Sequence, residues 1–256
     1  IIISVPPDIH HLYIHKAIQN KVNFFVEASV IDEDFNSVIS SLNGADFVGC
    51  PSCTLCFHAG IRKIKKIVQE NLLGKISNFH YHSGQYLPDW HTYEDVSEFY
   101  VSNPLTGGAR EIVPFELTWI TDIFGFPKTI IGQNKKTIEI PGAEKIDDTY
   151  NILMDFKDHL GILTVDVVSR FAVRKLIING SLGQLTWDWN DNALKIYLAK
   201  NNKWIIEKYD VGEAMSGYNK NIGEIMYIEE IRSFIESFEH NKPFPNNFAK
   251  DQKVLN

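Results

Sequence analysis

The chain has 256 residues, 44% of them hydrophobic and 22% charged, with a formal net charge of −7; this is the balance of a globular protein with room for one large core or two smaller ones. An acidic chain whose one basic cluster, residues 62–66, falls in a helical pattern argues against a nucleic-acid partner, because phosphate binding needs clustered Lys and Arg, and no apolar stretch approaches the ~20 residues of a membrane-spanning helix. Three cysteines, an odd number in a long chain, and an uncharged start that runs straight into a turn fit a reducing, cytoplasmic setting better than a secreted disulfide framework.

The first fifty residues alternate strand and helix. "IIISV" is an all-apolar, β-branched run of the kind buried on both faces of a parallel sheet. Pro6 and Pro7 stop it, and Asp8 reads as the N-cap of a helix reaching about Gln19. "VNFFVEA" predicts a second strand, residues 32–42 a second helix and "ADFVGC" a third strand. Short connections between these elements imply right-handed crossovers in a doubly wound sheet. Opening on a buried strand leads us to expect a fragment whose N-terminal portion is missing.

The spacing of Ile61, Ile64, Ile67, Val68 and Leu72 predicts a helix over residues 57–72. "KISNFHYHSGQY" is a strand, and residues 87–108 form a long polar-aromatic loop. Pro114 is tolerated in a first helical turn, so the next helix is expected from Val113 to just before Gly125. Seven β-rich runs between residues 128 and 210 suggest an antiparallel meander, and a closing helix spans about residues 222–239. The boundary falls near Cys56, dividing the chain into residues 1–56 and 57–256.

"GCPSCTLCFHAG" places Cys50, Cys53 and Cys56 at a spacing of three, with His58 two residues beyond. A ferredoxin-type run would need a fourth cysteine at Gly60, and the chain has no other. A zinc site of three thiolates and His58 is the chemical alternative, set against plain burial of cysteine; we expect no metal. His11 and His15, one turn apart, lack an evident third ligand. In the long loop, His91 stands between Trp90 and Tyr93, followed by Glu94. Aromatic rings suit the C–H face of a sugar, His91 is a candidate for proton transfer, and packing of the loop competes with both roles. Arg110 and Glu111 precede the expected helix. Arg110 could pair with a substrate carboxylate or phosphate, or the two side chains could form a surface pair.

The stretch "IIISVPPDIHHLYIHKAIQNKVNFFVEAS" resembles the Gfo/Idh/MocA oxidoreductases, which carry an apolar strand, P-P-x-x-H, a helix and a second strand ending E-K-P. "GGAREIVPFELTWITDIFG" is similar to the Gly-Gly loop and helix lining that family's substrate pocket, and the resemblance extends over essentially the whole chain. "GQYLPDWHTYED" with "GGAREIVPFE" resembles a branch associated with bacterial surface-sugar synthesis.

The resemblance implies the C-terminal part of a Rossmann doubly wound sheet, followed by an α+β domain with an open, mostly antiparallel sheet. It implies an NAD or NADP cofactor near Pro6, Pro7, His10, Glu27 and Ala28, with the glycine-rich pyrophosphate turn expected before Ile1 and the last strand and helix cut short. The substrate would be a sugar or nucleotide sugar, with homo-oligomers formed through the open sheet and neither a nucleic-acid nor a membrane partner. Hydride transfer from a carbinol needs a base for the hydroxyl proton, which the lysine of E-K-P helps to supply. Here the tripeptide is Glu27-Ala28-Ser29, and a methyl group accepts no proton; a non-catalytic sugar- or cofactor-binding relative is therefore the alternative. The family's second catalytic position, a His on the pocket helix, aligns with Glu116 from the Gly pair and misses it by one residue from Gly125. Glu116 is thus a candidate base, weighed against an exposed helix glutamate. Trp90, Tyr93, Arg110 and Glu111 are the candidate substrate contacts.

Overall fold

The computed structural model describes residues 1–90, 92–213 and 223–256. Its first layer is a three-stranded parallel sheet in the order β1 (Ile2–Ile3), β2 (Phe24–Val26), β3 (Gly49–Pro51), linked through α1 (His10–Gln19) and α2 (Phe35–Leu42). The three runs of the sequence analysis are present, trimmed at their ends. β2 is central and buried on both faces, through Phe24 and Val26 on one side and Phe25 on the other. β1 is an edge, with Ile1 and Ile2 exposed.

Asp8 does not cap α1. The two prolines wind Pro7–Ile9 into a 3-10 turn first, since a fixed φ suits a helical start. The α-helix then begins behind Ile9, with no side-chain cap.

The second layer is an eight-stranded sheet built from β4 (Ile76–Tyr86), β5 (Thr129–Lys135), β6 (Thr149–Asp155), β7 (Leu160–Asp166), β8 (Val168–Gly180), β9 (Gly183–Asp188), β10 (Ala193–Leu198) and β11 (Lys203–Lys208). Its order, β11-β10-β9-β8-β4-β7-β6-β5, corrects the simple meander. β4 lies between β7 and β8, parallel to the first and antiparallel to the second. The turn at Asp166 explains why neighbours in sequence separate in space: its carboxylate accepts the N–H groups of Val168 and Ser169 at 3.1 and 2.8 Å, and the Val167 carbonyl accepts the N–H of Leu87 at the end of β4.

Period-2 alternation points Phe79, Tyr81 and Ser83 of β4 inward. They face α3 (Ala59–Gln69) and α4 (Ala109–Phe124) across a core that holds Trp119 and Trp187 at 0% exposure. The opposite face carries exposed Ile131, Leu153 and Leu160.

α4 begins four residues earlier than expected, with Pro114 inside it. Gly108, at φ 65° and ψ −145°, makes the entry, a conformation that glycine adopts without a Cβ penalty. Gly107 lies so close to the Val101 carbonyl that a side chain there would clash. Tertiary contacts thus fix the helix start, and Pro114 gives up one backbone hydrogen bond while its ring is buried. Arg110 and Glu111 consequently sit in the first turn of α4, not in a loop.

The closing helix α5 spans Ile225–Glu239. A further helix without an early counterpart, α6 (Phe248–Leu255), returns to the small sheet. Phe248 packs on Phe24 and Phe35 at ring distances of 5.9 and 5.1 Å. Asp251 accepts hydrogen bonds from Ser29 Oγ at 2.7 Å and Asn246 Nδ2 at 2.6 Å.

Candidate functional site

Parallel strands in open α/β sheets direct their carboxyl ends toward a ligand crevice, and here the ends of all three strands line one cleft of about 540 Å³. Ser4, Val5, Pro6 and Pro7 follow β1, Glu27 and Ala28 follow β2, and Ser52 and Thr54 follow β3. His10 enters from α1, Tyr100 from the long loop, Glu111, Ile112 and Phe115 from α4, and Tyr227, Glu230 and Ile231 from α5. The volume lies within the range of small-molecule sites.

Among the candidates, Pro6, Pro7, His10, Glu27, Ala28 and Glu111 meet in this cleft. His10 Nε2 donates to the Val5 carbonyl at 2.8 Å. Burial holds its pKa below the ordinary value, against the pull of that hydrogen bond and of Glu27. Glu27 is exposed and accepts Ser4 Oγ at 2.6 Å.

Glu111 has one oxygen engaged, Oε1 accepting Tyr100 Oη at 2.8 Å. Its Oε2 is buried without a hydrogen-bond partner among the described residues. Burial pushes the Glu111 pKa up to about 7, the Tyr100 hydrogen bond opposing and the Glu27 charge adding to the rise. Burial, with the neighbouring Glu111 charge, also raises the Tyr100 phenol.

Glu116 does not reach the cleft. It lies at 0% exposure behind α4 and accepts Tyr81 Oη at 2.8 Å, Ser83 Oγ at 2.7 Å, Trp119 Nε1 at 2.7 Å and Arg174 Nε at 2.9 Å. It is neither the half-buried base nor the exposed glutamate of the sequence analysis. Five residues along an α-helix turn about 500°, so Glu111 and Glu116 leave α4 on different faces.

Arg110 is exposed and lies beside Tyr150 of β6, and it does not form the alternative surface pair with Glu111, whose Oε1 accepts Tyr100. Trp90 packs against the main core, with its indole Nε1 buried and unpartnered among the described residues, and Tyr93 is 76% exposed. Neither lines the cleft. His91 lies outside the described residues.

Glu230 was missed. Only 2% exposed, it accepts Ser52 Oγ at 3.0 Å, Cys53 N at 2.6 Å and Thr54 Oγ1 at 2.6 Å, tying α5 to the end of β3. Burial raises its pKa, against the pull of these three donors. A signal was present: Met226, Glu230 and Phe234 share the buried stripe of α5, and a carboxylate on an apolar stripe needs partners or a function.

The cysteine run does not converge on one point. Cys50 Sγ lies 3.8 Å from Ser237 Oγ, and Cys53 is buried beside Cys56. His58 stacks on Trp189 at 4.5 Å and caps α3 by accepting the N–H of Ile61. Burial drives its pKa down to about 3. Among the described residues, no group of three or more His, Cys, Asp or Glu side chains is arranged to hold a metal ion. His11 and His15 face Glu33 and Asp34 at 3.4 and 3.1 Å. No helix of the described residues is long and apolar enough to cross a membrane.

Comparison with solved structures finds the same fold in levoglucosan dehydrogenase in complex with NADH and levoglucosan. The TM-score is 0.81 at 13% identity, covering 99% of this chain and 74% of that one. An inositol dehydrogenase homologue from Azotobacter vinelandii, complexed with NAD+, gives a TM-score of 0.79 at 12% identity, covering 99% and 72%. An oxidoreductase from Agrobacterium radiobacter, in complex with NAD+, L-tartaric acid and magnesium, gives 0.82 at 13%, covering 99% and 74%. No curated protein sequence matches the chain. The family profile described as the GFO/IDH/MocA C-terminal domain matches residues 61–186, from α3 into β9, and this segment of the chain is similar to that domain.

Proposed function

We propose that the protein is an NAD(P)-dependent oxidoreductase acting on a hydroxyl or carbonyl group of a sugar or nucleotide sugar. The observation that carries this reading is the cleft itself, where three parallel strand ends face a half-buried carboxyl group with one oxygen unengaged among the described residues. The neighbours of like fold whose names include NADH with levoglucosan, or NAD+, support it.

The residues present fit the nicotinamide end of the cofactor. Ser4 to Pro7, Glu27 and Ala28 border an open cavity at the strand ends, where such rings dock. The chain contains no G-x-G-x-x-G turn, so its residues do not supply the usual pyrophosphate clamp. Held there, a nicotinamide would supply the hydride acceptor or donor. Glu111 Oε2 takes the hydroxyl proton in the oxidising direction, while Tyr100 holds Oε1 and orients the carboxylate. This role suits a pKa of about 7, since a base works best when its pKa lies near the operating pH. The test is fluorescence titration with NADH and NADPH, followed by turnover across a sugar panel. Binding of neither nucleotide would refute the reading.

Ala28 favours one second reading, a non-catalytic relative that binds sugar or cofactor in the same cleft. Reduction of either nucleotide at the expense of any sugar would eliminate it. We further propose that residues 1–56 act as part of the dinucleotide-binding unit and residues 57–256 as the substrate-binding and oligomerisation unit. The protein would work in the cytoplasm, in bacterial surface-sugar synthesis, as a homo-oligomer joined through the open sheet face. Light scattering tests the last of these.

A further inference from the structure

The charged groups lining the cleft are all of one sign. Glu27 enters from β2, Glu111 from α4 and Glu230 from α5, and none of the described lining residues is a lysine or arginine. Arg174 is held by Glu116 behind α4. Arg110, a candidate anion partner in the sequence, lies beside Tyr150 and does not line the cleft. His10, the lining imidazole, is buried and biased toward its neutral form. The Glu230 oxygens are taken by Ser52, Cys53 and Thr54, which leaves the buried Oε2 of Glu111 as an acceptor without a donor among the described residues. A buried acceptor in this condition is satisfied by a ligand group that brings a proton.

Resting on the oxidoreductase reading, we infer that the cleft selects an uncharged or amine-bearing sugar that donates a hydrogen bond to Glu111 Oε2. It rejects sugars bearing a carboxylate, a phosphate or a nucleoside diphosphate near the reacting carbon. This narrows the substrate class and removes nucleotide sugars from it. The cause is electrostatic. A substrate anion within ~6 Å of a carboxylate, at an effective dielectric of about 20, meets repulsion equivalent to roughly 100-fold in affinity.

The titratable groups around Glu111 in the cleft are Tyr100 on the long loop, Glu27 after β2, His10 on α1 and Glu230 on α5. Protonation of Glu111 below pH 7 therefore weakens the discrimination.

The test is calorimetric binding to the full chain with saturating NADH, using matched series of glucose, galactose and mannose. Each series comprises the neutral sugar, the 2-amino sugar, the uronate and the 6-phosphate, measured at pH 8 and pH 6. At pH 8 we expect the neutral or amino member to bind about 100-fold more tightly than its uronate and phosphate counterparts. At pH 6, and in Glu111→Gln at either pH, the gap should shrink about tenfold. If Glu111→Gln does not fold, the pH comparison on the native chain carries the same information. NADH binding with a uronate, phosphate or nucleotide sugar preferred overturns this inference and leaves the oxidoreductase reading standing. Absence of NADH binding removes that reading, and binding of no sugar of any charge removes the inference as well.

Discussion

Arg174 Nε donates to Glu116 Oε1 at 2.9 Å inside the main core, a buried ion pair completed by three neutral donors and by the Trp189 ring 4.6 Å from the guanidinium. The pair ties α4 to β8 and fixes which face of α4 turns to the cleft. A buried pair of this kind costs desolvation to form, and losing one partner costs more, because the other charge stays buried alone. Glu116→Ala is expected to lose about 3–5 kcal/mol of stability. Urea denaturation checks this, and a loss under about 1 kcal/mol would show that Arg174 finds solvent or another partner.

Glu111 supplies a pH prediction. Its pKa of about 7 lies above the ordinary carboxyl value, so the group is protonated below pH 7 and able to accept a proton above it. The oxidation rate at limiting sugar should rise about tenfold per pH unit below 7 and flatten above. Glu111→Gln should lose that limb together with most of its activity. A profile of kcat/KM against pH reads both effects, and an unchanged limb in the variant would assign the titration to another group.

The contrast between these two glutamates shows where sequence reasoning reached and where it stopped. The apolar runs of β1 to β3 and the Pro6-Pro7 stop were legible, because each rests on local pattern. The start of α4 was not. The rule for Pro114 is local, whereas Gly107 and Gly108 set the entry through a contact with Val101 and a left-handed φ, both of which depend on the tertiary fold. Moving the helix start took Glu111 out of the loop and into the cleft-facing turn. The insertion of β4 between β7 and β8 follows from strand pairing across about eighty residues of chain, which periodicity does not report. α6 escaped for a related reason: its order comes from Phe248 and Asp251 packing on a distant sheet, and it has little apolar stripe of its own.

The Gly107 contact is testable directly. A Cβ there would overlap the Val101 carbonyl, which is backbone and cannot rotate aside. Gly107→Ala should cost about 3 kcal/mol, or shift the 100–108 segment and with it Tyr100. Thermal melting measures the first effect, and loss of NADH affinity in the folded fraction measures the second. A variant with native melting and native affinity would mean that the loop adjusts freely.

Asp251 makes the attachment of α6 depend on pH. Burial raises its pKa to about 6, against the pull of Ser29 and Asn246. The unfolded chain therefore releases this proton near pH 4, while the native state keeps it until pH 6. The contribution is complete below pH 4, falls as pH rises from 4 to 6, and is level beyond. At about 1.4 kcal/mol per unit of pKa difference, the loss across that window is roughly 3 kcal/mol. Asp251→Asn keeps the shape of the side chain and removes the titration. The stability of the native chain minus that of the variant should therefore drop by about this amount between pH 4 and pH 7, while groups common to both cancel. Urea midpoints measured for the two proteins across that range decide the matter. Curves that stay parallel would mean that solvent reaches Asp251 and that α6 is held by Phe248 and its aromatic neighbours alone.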